Sequence, residues 1–110
     1  MNSRVERSHN AAIKYNLSNV RVSADHFFVS RNIPFANFCK DKDITKSIIM
    51  AIKIGGDKGT LDQRCNSSTD AWAVNVLLHD PEFENIYYCV DSTGASKDEK
   101  TELSGSTKCL

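Results

Sequence analysis

Between Cys65 and Gly94 the chain sets two apolar, β-rich runs on either side of a polar loop, and each run carries a cysteine. In residues 70–78 the bulky Trp72, Val74, Val76 and Leu78 alternate with Ala71, Ala73, Asn75 and Leu77. That is a period of two with one heavy face, the pattern of a strand packed on a core. His79 to Asn85 reads as the loop, Ile86 to Asp91 as the returning strand, and Ser92-Thr93-Gly94 as a further turn. Ala95 to about Glu102 holds Lys97, Asp98, Glu99, Lys100 and Glu102, a run so charged that it belongs at a sheet edge or in an extended tail. An antiparallel meander of three to four strands is therefore expected in the second half of the chain.

The first half is helical in pattern. Ile13, Leu17, Val20, Ala24 and Phe27 or Phe28 recur at spacings of three and four residues, an apolar stripe along one helix face. The helix is expected over residues 3 to about 30, ending at Asn32-Ile33-Pro34, since proline disfavours the helical conformation of the residue before it. Phe35, Phe38 and Cys39 can pin the connector that follows. Asp43 is expected to cap a short second helix, Ile44 to about Ile54, closed by Gly55-Gly56. Its run Ile48 to Ile52 is apolar nearly all round, so a buried strand fits that run as well. The whole reads as one α+β domain over residues 1–110: a long amphipathic helix in 1–31, a connector with a short helix in 32–60, and the sheet with a C-terminal loop in 61–110.

With 110 residues there is room for a modest core, and an apolar fraction of 40% with 25% charged residues is that of a folded protein. Fourteen basic and fourteen acidic residues cancel, which argues against a general nucleic-acid or anionic-membrane surface. Four cysteines, Cys39, Cys65, Cys89 and Cys109, are widely spaced with no Cys-x-x-Cys pair, so two disulfides are expected rather than a zinc site. Three connectivities are open. The favoured one, Cys39–Cys65 with Cys89–Cys109, would staple the ends of the short helix and the C-terminal loop. Oxidised cysteines imply an exported protein, yet Met1 to Ser8 is polar and no window reaches the length of a membrane span. The expectation is that the natural N-terminus has been removed, by design or by a misplaced start codon.

Helix, connector, short helix, meander and cysteine-clamped C-terminus follow one another in an order that resembles type IV pilins and pseudopilins. Asn10-Ala-Ala-Ile-Lys-Tyr-Asn-Leu-Ser-Asn19 is similar to the exposed half of the long pilin helix. Ala71-Trp72-Ala73-Val74 and Tyr88-Cys89-Val90-Asp91-Ser92-Thr93-Gly94 resemble the sheet strands of small bacterial pilin-like proteins. The resemblance implies a structural subunit of a type IV pilus or a type II secretion-like filament, acting by self-assembly and not by catalysis. Its partners would be copies of itself, other pilins and the assembly or secretion machinery of the inner membrane. Its place would be an extracellular filament or the cell surface. Family members begin with a cleaved leader, an apolar half-helix and an early glutamate, which this chain lacks. The core would be Ile13, Leu17, Val20, Ala24 and Phe27 against Trp72, Val74, Val76 and Leu78, with the opposite helix face toward neighbouring subunits. A secreted, disulfide-stabilised α+β binding module is the second reading.

Other chemistry is thinly supported. Cys65 or Cys89 with His79 or His26 could make a thiol enzyme or toxin, but no local signature accompanies them, and His9, His26 and His79 are far apart for a metal site. Asp80, Glu82, Glu84 and Asp91 could offer oxygens to calcium, without the spacing of a dedicated calcium loop; a solvated hairpin loop is the plainer reading. Gly55-Gly56-Asp57-Lys58-Gly59 reads as a turn and not a phosphate loop. Asn16 and Asn66 stand in glycosylation sequons. Arg4, Arg7, Lys14, Arg21 and Arg31 give the first helix a basic balance, for which a solvated or subunit-facing surface is a simpler reading than DNA. No cofactor is expected.

Overall fold

The computed structural model describes residues 3–78 and 86–109, with side chains from residue 8 onward. Helix α1 (Ser3–Ala24) runs into a single π turn, Asp25–Val29. A 3-10 segment, Phe35–Lys40, leads to α2 (Lys42–Gly55) and the one-turn α3 (Leu61–Arg64). Four strands follow, β1 (Cys65–Ser67), β2 (Trp72–Leu77), β3 (Tyr87–Asp91) and β4 (Ser96–Glu99). They form one antiparallel sheet in chain order, an α+β arrangement with a long N-terminal helix.

Ile13, Leu17, Val20 and Ala24 line the buried stripe of α1, and Ile44, Ile48 and Ala51 that of α2. The two stripes meet each other and lie on the face of the sheet carrying Trp72, Val74, Val76 and Val90. The α1 stripe thus packs on a second helix as much as on the sheet. Phe28, Phe35, Phe38 and Trp72 close the end of this core, with Phe38 stacked on Trp72 at a centroid distance of 4.5 Å. Such stacking adds about 0.5–1.5 kcal/mol to the burial itself.

Several local expectations need correction. Phe27 is only half-buried, and Phe28 takes the core place. The cause is the π turn, where Ser30 N–H reaches back five residues to Asp25 C=O at 2.9 Å. A turn widened by a residue keeps position i+4 on the buried face and carries i+3 off it. Asn32, at φ 55°, then turns the chain in the left-handed region before Pro34 is reached. The cap of α2 is Asp41 and not Asp43: its carboxylate accepts from Asp43 N–H at 3.0 Å and Ile44 N–H at 3.2 Å. Gly56, at φ 66°, closes that helix. Strands do not begin at Leu61, because Thr60 and Gln63 form a reciprocal capping box that nucleates α3.

The lighter face of β2 is buried too. Ala73, Cys89, Leu103 and Cys109 make a second small cluster where residues 101–109 fold back under the sheet. Disulfides join Cys39 to Cys65 and Cys89 to Cys109, with Cα–Cα distances of 5.8 and 5.9 Å. The first ties the 3-10 segment to β1, and the second ties the chain's end to β3. Among the described residues no helix is long and apolar enough to cross a membrane.

Candidate functional site

The helix faces turned away from the core carry the most conspicuous unpaired surface. Tyr15, Val22 and Val29 are 67%, 64% and 57% exposed. Tyr15 and Val22, seven residues apart, stand one above the other on the side of α1 opposite its buried stripe, whereas Val29 lies in the π turn that follows, next to the buried Phe28. Ile33, past the π turn, is 45% exposed. On α2, Lys46, Ile49, Met50 and Lys53 share one exposed face by the same i, i+3, i+4, i+7 logic. Single exposed apolar residues are ordinary, whereas aligned ones form a surface that water solvates poorly.

At the far end of α1 the surface becomes concave. A groove of about 340 Å³ is bounded by Phe28, Val29, Ile33 and Phe35 on the apolar side and Asp70 at the rim. A neighbouring hollow of about 210 Å³ shares Val29 and Phe35 and adds Asp25 and Trp72. Arg21, beside it, is spent inward: its guanidinium donates to the carbonyls of Gly94 at 3.1 Å and of Ala95. Arg31 lies over the Phe27 ring at 5.5 Å. Of the helix cations considered for DNA, Lys14 pairs with Asp98 at 3.9 Å and sits over Tyr88. The side chains of Arg4 and Arg7 lie outside the described residues.

The third cleft, about 420 Å³, lies beside Gly56–Gly59, Arg64, Tyr87 and Glu102. Its floor is a buried ion pair that the sequence reading missed. Asp57 accepts from Arg64 Nε at 2.7 Å and Nη2 at 2.8 Å, from Gly59 N–H at 2.7 Å and from Leu77 N–H at 3.1 Å. Burial alone would raise the Asp57 pKa, but the Arg64 and backbone donors outweigh it and hold the carboxyl below its ordinary value. Arg64 also faces Glu102 at 3.2 Å and stacks over the Tyr87 ring at 5.0 Å. Burial, with the Glu102 charge beside it, raises the Tyr87 pKa. Every Asp57 oxygen is occupied, so the group joins α3, β2 and the glycine turn instead of offering a base.

Asp91 is a second internal knot. Its Oδ1 accepts from Thr93 N–H at 2.9 Å, Thr93 Oγ1 at 2.6 Å and Ala95 N–H at 3.2 Å, and its Oδ2 from Cys109 N–H at 2.7 Å. It stands at the C-terminal end of β3, with its oxygens taken. Asp80, Glu82 and Glu84, the other calcium candidates, lie outside the described residues, as does His79. The thiol reading finds no nucleophile, because all four cysteines are bonded in disulfides. Cys89, Glu99 and Cys109 come close together, but both sulfurs belong to one disulfide and are not metal ligands. His26 packs edge-on to Phe27 and is exposed. Both sequon amides are used: Asn16 donates to Ala12 C=O at 2.9 Å and Asn66 to Ser106 C=O at 3.1 Å.

No family model, no curated protein and no solved structure matches the chain.

Proposed function

We propose that the chain is a structural subunit that works by self-association, as the headpiece of a pilin-like or pseudopilin-like filament outside the cell. The observation that carries this reading is the pair of exposed apolar side chains, Tyr15 and Val22, along the outer side of α1. Apolar side chains seven residues apart stack on one helix face, where a second helix can cover them, and α1 already has its own core on the opposite side. Two features support the reading. The long helix followed by an antiparallel meander with a disulfide-clamped C-terminus has the order of pilin headpieces, and two disulfides suit an oxidising location. Partners would be further copies, related subunits and the machinery that assembles them.

The test is sedimentation of the wild-type protein and of Val22→Glu over a concentration series to roughly millimolar. Wild type is expected to associate with concentration and Val22→Glu to stay monomeric with an unaltered melting curve, since Val22 supports no core contact. A wild type that remains monomeric across the series overturns the proposal.

A further inference from the structure

Residues 101–109 fold back across the lighter face of the sheet and are held there by more than a sulfur bond. Asp91 Oδ2 accepts from Cys109 N–H at 2.7 Å, Asn66 donates to Ser106 C=O at 3.1 Å, and Asn75 Nδ2 donates to Thr101 C=O at 3.2 Å. Glu102 pairs with Arg64, and Leu103 is buried beside Ala73. With these contacts in place, opening the Cys89–Cys109 disulfide leaves its two sulfurs side by side. Glu99 lies against them: both sulfurs and a Glu99 carboxylate oxygen are within 4.8 Å of one another, and all three residues are buried. Asn75 stands directly opposite Cys89 in the β2–β3 register, with its Nδ2 3.5 Å from Glu99 Oε1. Its Oδ1 is buried and has no hydrogen-bond partner, an exception among buried polar atoms that calls for a reason.

We infer that Cys89, Cys109 and Glu99 become a zinc site when this disulfide is reduced, with Asn75 Oδ1 available as a fourth donor. Two thiolates select a thiophilic cation over calcium or magnesium, and two oxygens complete a tetrahedron. Zn–S bonds of about 2.3 Å set the sulfurs about 3.8 Å apart, wider than in a disulfide. Side-chain rotation on Cα atoms 5.9 Å apart can supply that shift. Reduction by an external dithiol passes two electrons and two protons to Cys89 and Cys109 and leaves the reductant as its own disulfide. Zn2+ then displaces the two thiol protons to solvent. Two thiolates and one carboxylate leave one negative charge on the filled site. Asp91 adds another nearby, already shared among its donors, and Lys97, opposite Cys89 in the β3–β4 register, brings a positive one. Glu99, on the edge strand, and Cys109 are 7% and 8% exposed, so an entering ion has little chain to cross. The clamp on the C-terminal segment thus has two forms, a metal while thiols are kept reduced and a disulfide once an oxidant is met. The inference does not depend on self-association.

The experiment reduces the full chain with a phosphine, which leaves as its oxide and offers the metal no thiol, and titrates Zn2+ against a chromophoric chelator. The reduced chain is expected to bind a single Zn2+ at about micromolar Kd or tighter, and the oxidised chain to bind none at that strength. Zinc should raise the melting temperature of the reduced chain, or refold it if reduction has unfolded it. Cobalt(II) in place of zinc should show the absorption of a tetrahedral, thiolate-bound ion. Reduced Cys39→Ser/Cys65→Ser should bind as reduced wild type does, and Cys89→Ser/Cys109→Ser should not. Glu99→Gln should bind at least about tenfold more weakly. Equal binding by the oxidised chain, binding that follows Cys39 and Cys65 instead, or a Glu99→Gln variant that binds like wild type overturns the inference. So does a reduced chain whose melting or folding zinc leaves unchanged.

Discussion

Replacing Asp57 by Asn removes one charge at nearly constant volume and tests what the buried pair is worth. In the native chain the Asp57 carboxylate satisfies four donors, two of them on a guanidinium whose side chain is 4% exposed. Asparagine keeps one acceptor oxygen and turns the other position into a donor facing N–H groups. Arg64 is then left with Glu102, which is 46% exposed and well solvated. A buried cation stripped of its partner costs about 3–5 kcal/mol, a large share of a total near 5–15 kcal/mol. In urea, with the disulfides intact, the midpoint should fall by on the order of 2 M at unchanged slope. The double variant Asp57→Asn/Arg64→Met removes the stranded cation as well. It should therefore lose at least about 1 kcal/mol less than the sum of the two singles. A midpoint within roughly 0.5 M of wild type, or strict additivity in the double variant, would refute the reasoning.

Acid should weaken the fold through the same carboxylates. Asp57 and Asp91 both lie below their ordinary pKa: burial opposes ionisation but donors outweigh it, chiefly Arg64 for Asp57 and Thr93 and Cys109 for Asp91. A depressed folded-state pKa contributes stability above the unfolded value, near 3.9, and that stability is lost as pH falls through the lower folded value. Titrating stability below about pH 4 should show the decline, and Asp91→Asn should flatten it. Removing Cys39–Cys65 or Cys89–Cys109 as paired serines opens spans of 26 and 20 residues. Each change should cost about 3 kcal/mol and lower the melting temperature by roughly 10–15 °C in calorimetry. A Cβ added at Gly55 would sit 2.6 Å from the Leu77 carbonyl oxygen and 3.0 Å from Ile13 Cδ1. Gly55→Ala should therefore destabilise by about 1–3 kcal/mol, and an unchanged melt would show that α2 moves off β2 without strain.

What the sequence disclosed depended on periodicity. The stripes of α1 and β2 were legible because one repeating angle governs each, and Ile13, Leu17, Val20, Trp72, Val74 and Val76 follow from it. Phe27 against Phe28 was not legible, because a π turn breaks the angle without marking the composition. The cap of α2 was assigned to Asp43 when it is Asp41, because two aspartates two residues apart are both able to accept from a first turn and the helix begins earlier than expected, at Lys42. The Thr60–Gln63 capping box is written in the sequence, but a single helical turn offers no periodicity to flag it. The small residues of β2's second face, Ala73 and Asn75, made that side look open. Small side chains there admit the C-terminal segment, a long-range fact that no local pattern carries. The spacing of Tyr15 and Val22 was present in the sequence, while the groove beyond α1 arises where residues 28–35 meet Thr69 and Asp70, which come together only in the folded chain. Asp57 looked like an ordinary turn residue, since its pairing with Arg64 depends on how the glycine turn folds back.

The two disulfides also decide how the protein bears a load. Cys39–Cys65 and Cys89–Cys109 are short cuts across the chain, so a pull between the helix and residue 109 runs along α1, crosses to β1, follows β2 and β3, and leaves through the last sulfur. Residues 40–64, with the whole of α2, and residues 90–108, with β4, stand outside that path and feel no tension. Stretched until its core gives way, the protein can pay out only the residues up to Cys39 and those from Cys65 to Cys89, at about 3.3–3.6 Å per residue. The loops that the bridges close remain short tethers, able to refold when the strain is released.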